Sequence, residues 1–172
     1  MSAARVHGAA RDDLTGEHRF SDIGQALFAF LFGAVWALDS FVLEWTTFAN
    51  DVVPGPLRAL VGFVLLAVSA AMAFLGMRAV FAEKRDPPVV IRTGLFGYIR
   101  HPIYFAEVLL YTGLVCLSIS LAAAAVLAGA VVFLHRLCRH EERLLLDRFG
   151  EEYRGYMRDV GMWFPRLRRH RR

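Results

Sequence analysis

Arg100, His101, Pro102 and Tyr104 stand where a charged connector meets a long apolar run, within Thr93-Gly94-Leu95-Phe96-Gly97-Tyr98-Ile99-Arg100-His101-Pro102-Ile103-Tyr104. A proline at the first helical position leaves free N–H groups in the turn that follows, an end suited to a carboxylate or a ring acceptor on a ligand. His101 and Tyr104, three residues apart, share one face of such a helix. A second polar run, Arg139-His140-Glu141-Glu142-Arg143, lies just past the far end of the same apolar stretch. Hydrocarbon offers polar groups no partner, so two polar clusters bracketing one hairpin point to a site assembled at a membrane surface.

Each of these residues also has a plainer reading. The His-Pro-x-Tyr start could be an interfacial cap with a belt tyrosine. Adjacent glutamates on a surface helix are commonly solvated, and Arg136 and Arg139 at a membrane exit could contact phosphate or snorkel. Two acids lie inside apolar segments, where ionisable groups are functional candidates by default. Asp39 is near the far end of the first segment, and Glu107 is one turn into the third. Cys116 and Cys138 are too few for a disulfide framework, and no CxxC or zinc spacing occurs, so both are expected as thiols and no metal is expected.

The elements that position these groups follow from charge segregation. Apolar residues make up 56% of the 172, yet 21% are charged, so the charges must be concentrated outside the apolar runs. Residues 1–19 are mixed in charge and expected to be poorly ordered. They lack a signal-peptide apolar core, so insertion is expected to use the first spanning helix. Residues 23–43 are long enough to cross a bilayer, and Pro54-Gly55-Pro56 ends one helix and starts another over 57–82. Pro87-Pro88 forbids helix in the connector, and Val89-Val90-Ile91 favours extended chain. Residues 102–135 hold one acid, Glu107, and no Lys or Arg. As a single helix they would reach about 50 Å, so a hairpin turning at Ser118-Ile119-Ser120 is expected, with arms of roughly 16 residues. Residues 136–158 read as amphipathic, broken at Gly150.

The fold expected is therefore all-α, a single polytopic membrane domain of about four segments. Two full spans occupy 20–82, and a short hairpin and cytoplasmic C-terminal helices complete the chain. Lys and Arg are counted in short loops to orient it. The 44–58 loop has Arg58, the 118–120 turn has none, and the connector has Arg78, Lys84, Arg85, Arg92 and Arg100. Both termini and the connector are thus expected in the cytoplasm. Residues 136–172 carry eleven Arg against six acids, and their place beside a membrane segment favours lipid contact over nucleic acid.

The order Gly-x-Phe-x-x-x-Arg-His-Pro-x-Tyr, apolar hairpin, Glu-Glu-x-x-Leu, Phe149-Gly150-Glu151-Glu152-Tyr153, Tyr156, Val160 and Pro165 resembles the isoprenylcysteine carboxyl methyltransferase family and the related phospholipid N-methyltransferases. The resemblance covers 86–167. It implies a core that binds S-adenosylmethionine through Pro88, Val89, Val90, Ile91, Gly94, Phe96, His101, Pro102, Tyr104 and Glu142. Phe96 stands where that family more often has Tyr. Leu137 stands where it has its substrate-side arginine, so Arg136 or Arg139 is expected to take that role.

What the resemblance implies is methyl transfer to a lipophilic small molecule or lipidated substrate, entering sideways from the bilayer. Such a displacement needs alignment more than acid or base groups. An amine acceptor must lose a proton, for which His101 or Glu107 is nearest, whereas a carboxylate or thiolate needs no base. Two other classes stand beside it. Membrane sterol and steroid reductases share an Arg-His-Pro-x-Tyr stretch followed by an acid, which Glu107 matches, and bind a dinucleotide phosphate. A non-enzymatic membrane adaptor is the third.

Overall fold

The computed structural model describes residues 19–81 and 88–166. These form five α-helices: α1 Arg19–Leu38, α2 Gly55–Phe81, α3 Pro102–Ser118, α4 Leu121–Phe149 and α5 Glu151–Asp159. Among the described residues there is no strand ladder, and an isolated parallel bridge joins Ile99 to Gly161. The N-terminal residues 1–18, Lys84, Arg85 and Pro87, used above for order, orientation and helix breaking, lie outside the described residues.

Three helical segments are long and apolar enough to cross a bilayer: Ile23–Leu43, Gly55–Phe81 and Leu121–Phe149. The chain is a membrane protein. The fourth expected segment, α3, has 17 residues and reaches about 26 Å, short of the hydrocarbon core. The even division of the hairpin is also corrected. Its second arm, α4, has 29 residues and runs through the position where a separate amphipathic helix was expected to begin. Hydropathy falls near His135, but no Gly or Pro lies between Gly129 and Gly150 to stop the helix. Gly150, with φ 54°, does break it, and α5 starts at the next residue.

Small residues fix how α2 meets α3. Gly62, Ser69 and Gly76 recur every seven residues on the buried face of α2. Small side chains let membrane helices approach closely, since packing rather than hydrophobic exclusion holds them. Ser69 Oγ donates to the Ala106 carbonyl at 2.6 Å. A Cβ on Gly62 would lie 3.0 Å from the Gly113 carbonyl oxygen and would collide with Leu117. Gly62→Val is therefore expected to lower stability by about 1–3 kcal/mol, as overpacking does. Gly33→Val, where a Cβ meets nothing within 4 Å, is the control. Equal unfolding midpoints of the two variants in detergent would reject this packing.

On the other side, α1, α3 and α4 share a core of Phe32, Tyr111, Ala123 and Ala130, with the Phe32 and Tyr111 rings 4.3 Å apart. At the end formed by the 44–54 loop and the α3–α4 turn, polar groups pair with one another. α1 widens into a π turn, Asp39–Leu43, closed by Glu44 N–H donating to the Asp39 carbonyl. The buried Asp39 carboxylate accepts from Thr46 N–H (3.1 Å), Thr46 Oγ1 (2.5 Å) and Ser120 Oγ (2.6 Å). Arg58 donates to the Leu117 carbonyl at 3.1 Å and to Asn50. The turn falls at Ser118-Ile119-Ser120 as expected, with Ile119 at φ 41°. Asp39 thus ties the first loop to this turn, a structural role that satisfies donors at the membrane boundary.

Candidate functional site

The opposite end of the bundle brings together groups far apart in sequence. Pro102 occupies the first position of α3, and the chain leading into it is held by the segment after α5. Arg100 N–H donates to the Gly161 carbonyl at 2.9 Å, and His101 N–H to that of Met162 at 3.4 Å. The Arg100 guanidinium donates to the carbonyls of Val160 and Met157, the latter at 3.1 Å. These carbonyls are the open end of a helix, which a cation satisfies.

From α4 comes the other half. Leu134, Leu137 and Cys138 are buried, and the same face carries Glu141 and Glu142 at the i+3, i+4 spacing. Glu142 meets Arg100 with Nε at 2.7 Å from Oε1, and both side chains are almost fully enclosed. His101 Nε2 is 3.3 Å from the same oxygen, and its Nδ1 is 3.7 Å from Glu141 Oε2. The Tyr104 hydroxyl donates to Glu141 Oε1, and its ring lies nearly parallel to that of His101 at 5.9 Å. Five residues, from the chain entering α3, from α3 and from α4, form one network of charge-assisted bonds in a low-dielectric setting.

The connector and α5 border this network. Val90 packs on Tyr153, Tyr156 and Val160. The Tyr156 hydroxyl donates to the Phe96 carbonyl at 2.6 Å, and the Arg92 guanidinium sits over the Tyr156 ring at 5.4 Å while donating to the Glu152 carbonyl. Burial pushes the Tyr153 and Tyr156 phenols up, so both stay protonated near neutral pH. Residues 88–91 are outside any helix or strand, and no backbone hydrogen bond to another described residue engages Val89, Val90 or Ile91. Gly94 opens the 3₁₀ turn Gly94–Gly97 at φ 58°, exposed, with nothing within 4 Å of where a Cβ would stand.

The residues expected at the site thus divide. His101, Pro102, Tyr104 and Glu142 come together; on the connector Val90 and Phe96 meet the neighbouring α5 tyrosines, and Pro88, Val89, Ile91 and Gly94 lie on the same segment. Glu107 lies one turn further into α3, half-buried, accepting from the Tyr111 hydroxyl at 2.6 Å. Arg136 and Arg139 do not join. Both are exposed and turned away from the buried stripe of α4, because Leu134, Leu137 and Cys138 set which face turns inward. Arg100 and Glu141 lie in the two polar clusters singled out in the sequence but are absent from the cofactor-binding set that the resemblance implies. The signal for Glu141 was its place on the same stripe as Leu134, Leu137 and Cys138. No local pattern linked Arg100 to a carboxylate 42 residues away.

A 108-residue stretch, 62% of this chain, is 32% identical to a protein of Cupriavidus metallidurans named cobalt-zinc-cadmium resistance protein CzcN, over 50% of that protein. A 112-residue stretch, 58% of the chain, is 29% identical to the nickel-cobalt-cadmium resistance protein NccN of Alcaligenes xylosoxydans xylosoxydans, over 53% of it. The chain therefore spans about half the length of the curated relatives it matches. No solved structure matches it. A family model described as "Protein of unknown function (DUF1295)" matches residues 18–160, which takes in α1 to α5 and the whole Arg100–Glu142 network, and the chain belongs to that family.

Proposed function

We propose that this protein transfers a methyl group from S-adenosylmethionine to a lipophilic acceptor at the cytoplasmic face of the membrane. One observation supports this above the rest: the start of α3 and the inward face of α4 meet at the end of the bundle where the connector runs, whose Val89–Ile91 backbone has no backbone hydrogen bond to another described residue. The residues present suit an adenosyl sulfonium. Free amides and carbonyls at Val89–Ile91 can hold an adenine edge. Gly94 leaves room for close approach, and carboxylates with the Tyr104 and His101 rings suit a cationic centre and its hydroxyls. When bound, the cofactor supplies an electrophilic carbon, and the protein's share is binding and alignment.

The chain's own residues divide that work. Arg100 fixes Glu142 and, through Val160 and Met157, holds the C-terminal segment against the site. Pro102 sets the direction of α3. Tyr104 orients Glu141, the less enclosed of the two acids, whose side chain is 14% exposed against 7% for Glu142. Glu142 already serves Arg100 and His101, so a cofactor contact there shares an occupied oxygen. Glu107, on the lipid side of Tyr104, is the group placed to take a proton from an amine acceptor.

Titration of the purified protein with S-adenosylhomocysteine and with NADPH tests this reading. Binding of the first and not the second is expected. The reverse would indicate a reductase, and binding of neither a non-enzymatic protein. Orientation is tested separately. The structure puts Asn50 and α5 at opposite ends of the bundle, and the arginine count puts α5 in the cytoplasm. Reporter fusions at residue 50 and at the C-terminus should report opposite sides, with the C-terminal one cytoplasmic. A shared side would end the proposed topology.

A further inference from the structure

The outer face of α4 shows what Arg136 and Arg139 do instead. Leu121, Ala125, Ala128, Val132, Arg136, Arg139 and Arg143 are all exposed and follow one another at spacings of three or four. They form one stripe along the helix, opposite the buried Leu134, Leu137 and Cys138. Its first four residues are apolar and face hydrocarbon. Its last three are arginines.

Length makes that change of character consequential. From Leu121 to Arg136 the helix rises about 22 Å, while a hydrocarbon core is about 30 Å thick. α3, at about 26 Å, is short too. α2, with 27 residues, is long enough to span without adjustment. On the α3–α4 side the bilayer must thin, or Arg136 must draw a polar group toward it. Neither Arg136 nor Arg139 has a side-chain hydrogen bond or ion pair with another described residue, and Arg143 Nε donates to the Arg139 carbonyl at 3.3 Å. Tyr98 and Phe164 are exposed at the same end and mark the interface as aromatic belts do. A guanidinium at that level, with phosphate as the nearest anion, forms paired N–H···O bonds that an ammonium cannot match.

We propose that Arg136, Arg139 and Arg143 form a binding stripe for the phosphate of an anionic phospholipid, holding its headgroup against α4 where the bilayer is thinned. The stripe lies outside the buried network, and the proposal does not depend on the methyl-transfer reading. The occupant is a bilayer lipid because the stripe continues a lipid-facing surface, which a soluble phosphate would not share.

Trp163 supplies a local reporter, since its indole N–H donates to His135 Nδ1 at 3.2 Å, one residue before Arg136. The chain has three tryptophans, so W36F/W45F leaves Trp163 alone. In phosphatidylcholine vesicles, brominated phosphatidylglycerol should quench Trp163 about fivefold or more effectively than brominated phosphatidylcholine at equal mole fraction, and R136Q/R139Q/R143Q should bring the ratio close to one. Native mass spectrometry of the chain with its tryptophans intact should show the same loss of retained phosphatidylglycerol. Equal quenching by the two lipids in the parent would overturn the proposal. So would a preference unchanged in the triple variant, or one abolished by millimolar inorganic phosphate. If the triple variant keeps its lipid preference but loses methyl transfer, the arginines serve the acceptor and the proposal fails while the enzymatic reading stands.

Discussion

Arg100→Met should destabilise the protein by about 3–5 kcal/mol, the usual consequence of leaving one member of a buried ion pair without the other. Arg100 and Glu142 are 2.7 Å apart with side chains 6% and 7% exposed, so water cannot replace the lost guanidinium. Arg100 also donates to the Met157 and Val160 carbonyls; Arg166 still donates to Met157 at 2.8 Å, but the Val160 carbonyl would be left open together with the carboxylate. Glu142→Leu alone should cost a similar amount. The double variant Arg100→Met/Glu142→Leu should recover most of the loss, because replacing both ions with apolar groups removes the uncompensated charge. Recovery will be incomplete while the Val160 carbonyl lacks a donor. Thermal unfolding in one detergent, run on all four proteins, completes the cycle. Single variants as stable as the parent, or a double variant as unstable as the sum of the singles, would show that the pair does not hold this end of the bundle together.

Cofactor binding should respond differently to the two neighbouring acids. Glu141→Gln is expected to weaken S-adenosylhomocysteine binding about 10–100-fold with little change in unfolding midpoint, as loss of a charge-assisted hydrogen bond does. Tyr104→Phe removes only the hydroxyl that orients Glu141, and a loss of roughly 2–10-fold is expected. Variants at Glu142 are less clean, since they also release Arg100. Glu142→Gln keeps an acceptor for Arg100 and is the useful form. If it folds and loses the cofactor while Glu141→Gln binds like the parent, the cofactor carboxylate is Glu142, as the family resemblance implies. If neither substitution changes affinity, the network is structural and the methyl-transfer reading loses its main support. Calorimetry measures affinity and unfolding on the same preparations, which keeps the two effects apart.

Much of the architecture could be read from residue order because it rests on local physics. Apolar runs of the right length give spanning helices, Pro54-Gly55-Pro56 separates α1 from α2, and Gly150 divides α4 from α5. Ser118-Ile119-Ser120 places the hairpin turn, since a run of 34 residues with a single charged group cannot remain one helix in one bilayer. The even division of that hairpin did not follow. Falling hydropathy marks where a helix leaves the membrane, whereas a helix ends where its backbone is interrupted, and nothing between 130 and 149 interrupts it.

The site was legible in part for the same reason. His101, Pro102 and Tyr104 are neighbours on one turn, so their spacing alone puts His101 and Tyr104 on a shared face. Glu141 and Glu142 could be placed at the same end of the bundle from topology. Which way they point could not be decided that way, because one residue along a helix is about 100° of rotation. That rotation is set by Leu134, Leu137 and Cys138 packing inward, and the same turn of α4 sends Arg136 and Arg139 outward. Pairing of Arg100 with Glu142 depends on bringing the ends of two helices together across 42 residues of chain. Residue order therefore determined the helices, their breaks and the end of the molecule where the polar groups gather. Only the packed tertiary structure decided which of those groups touch, because contact depends on helix rotation and long-range closure, and neither leaves a local pattern.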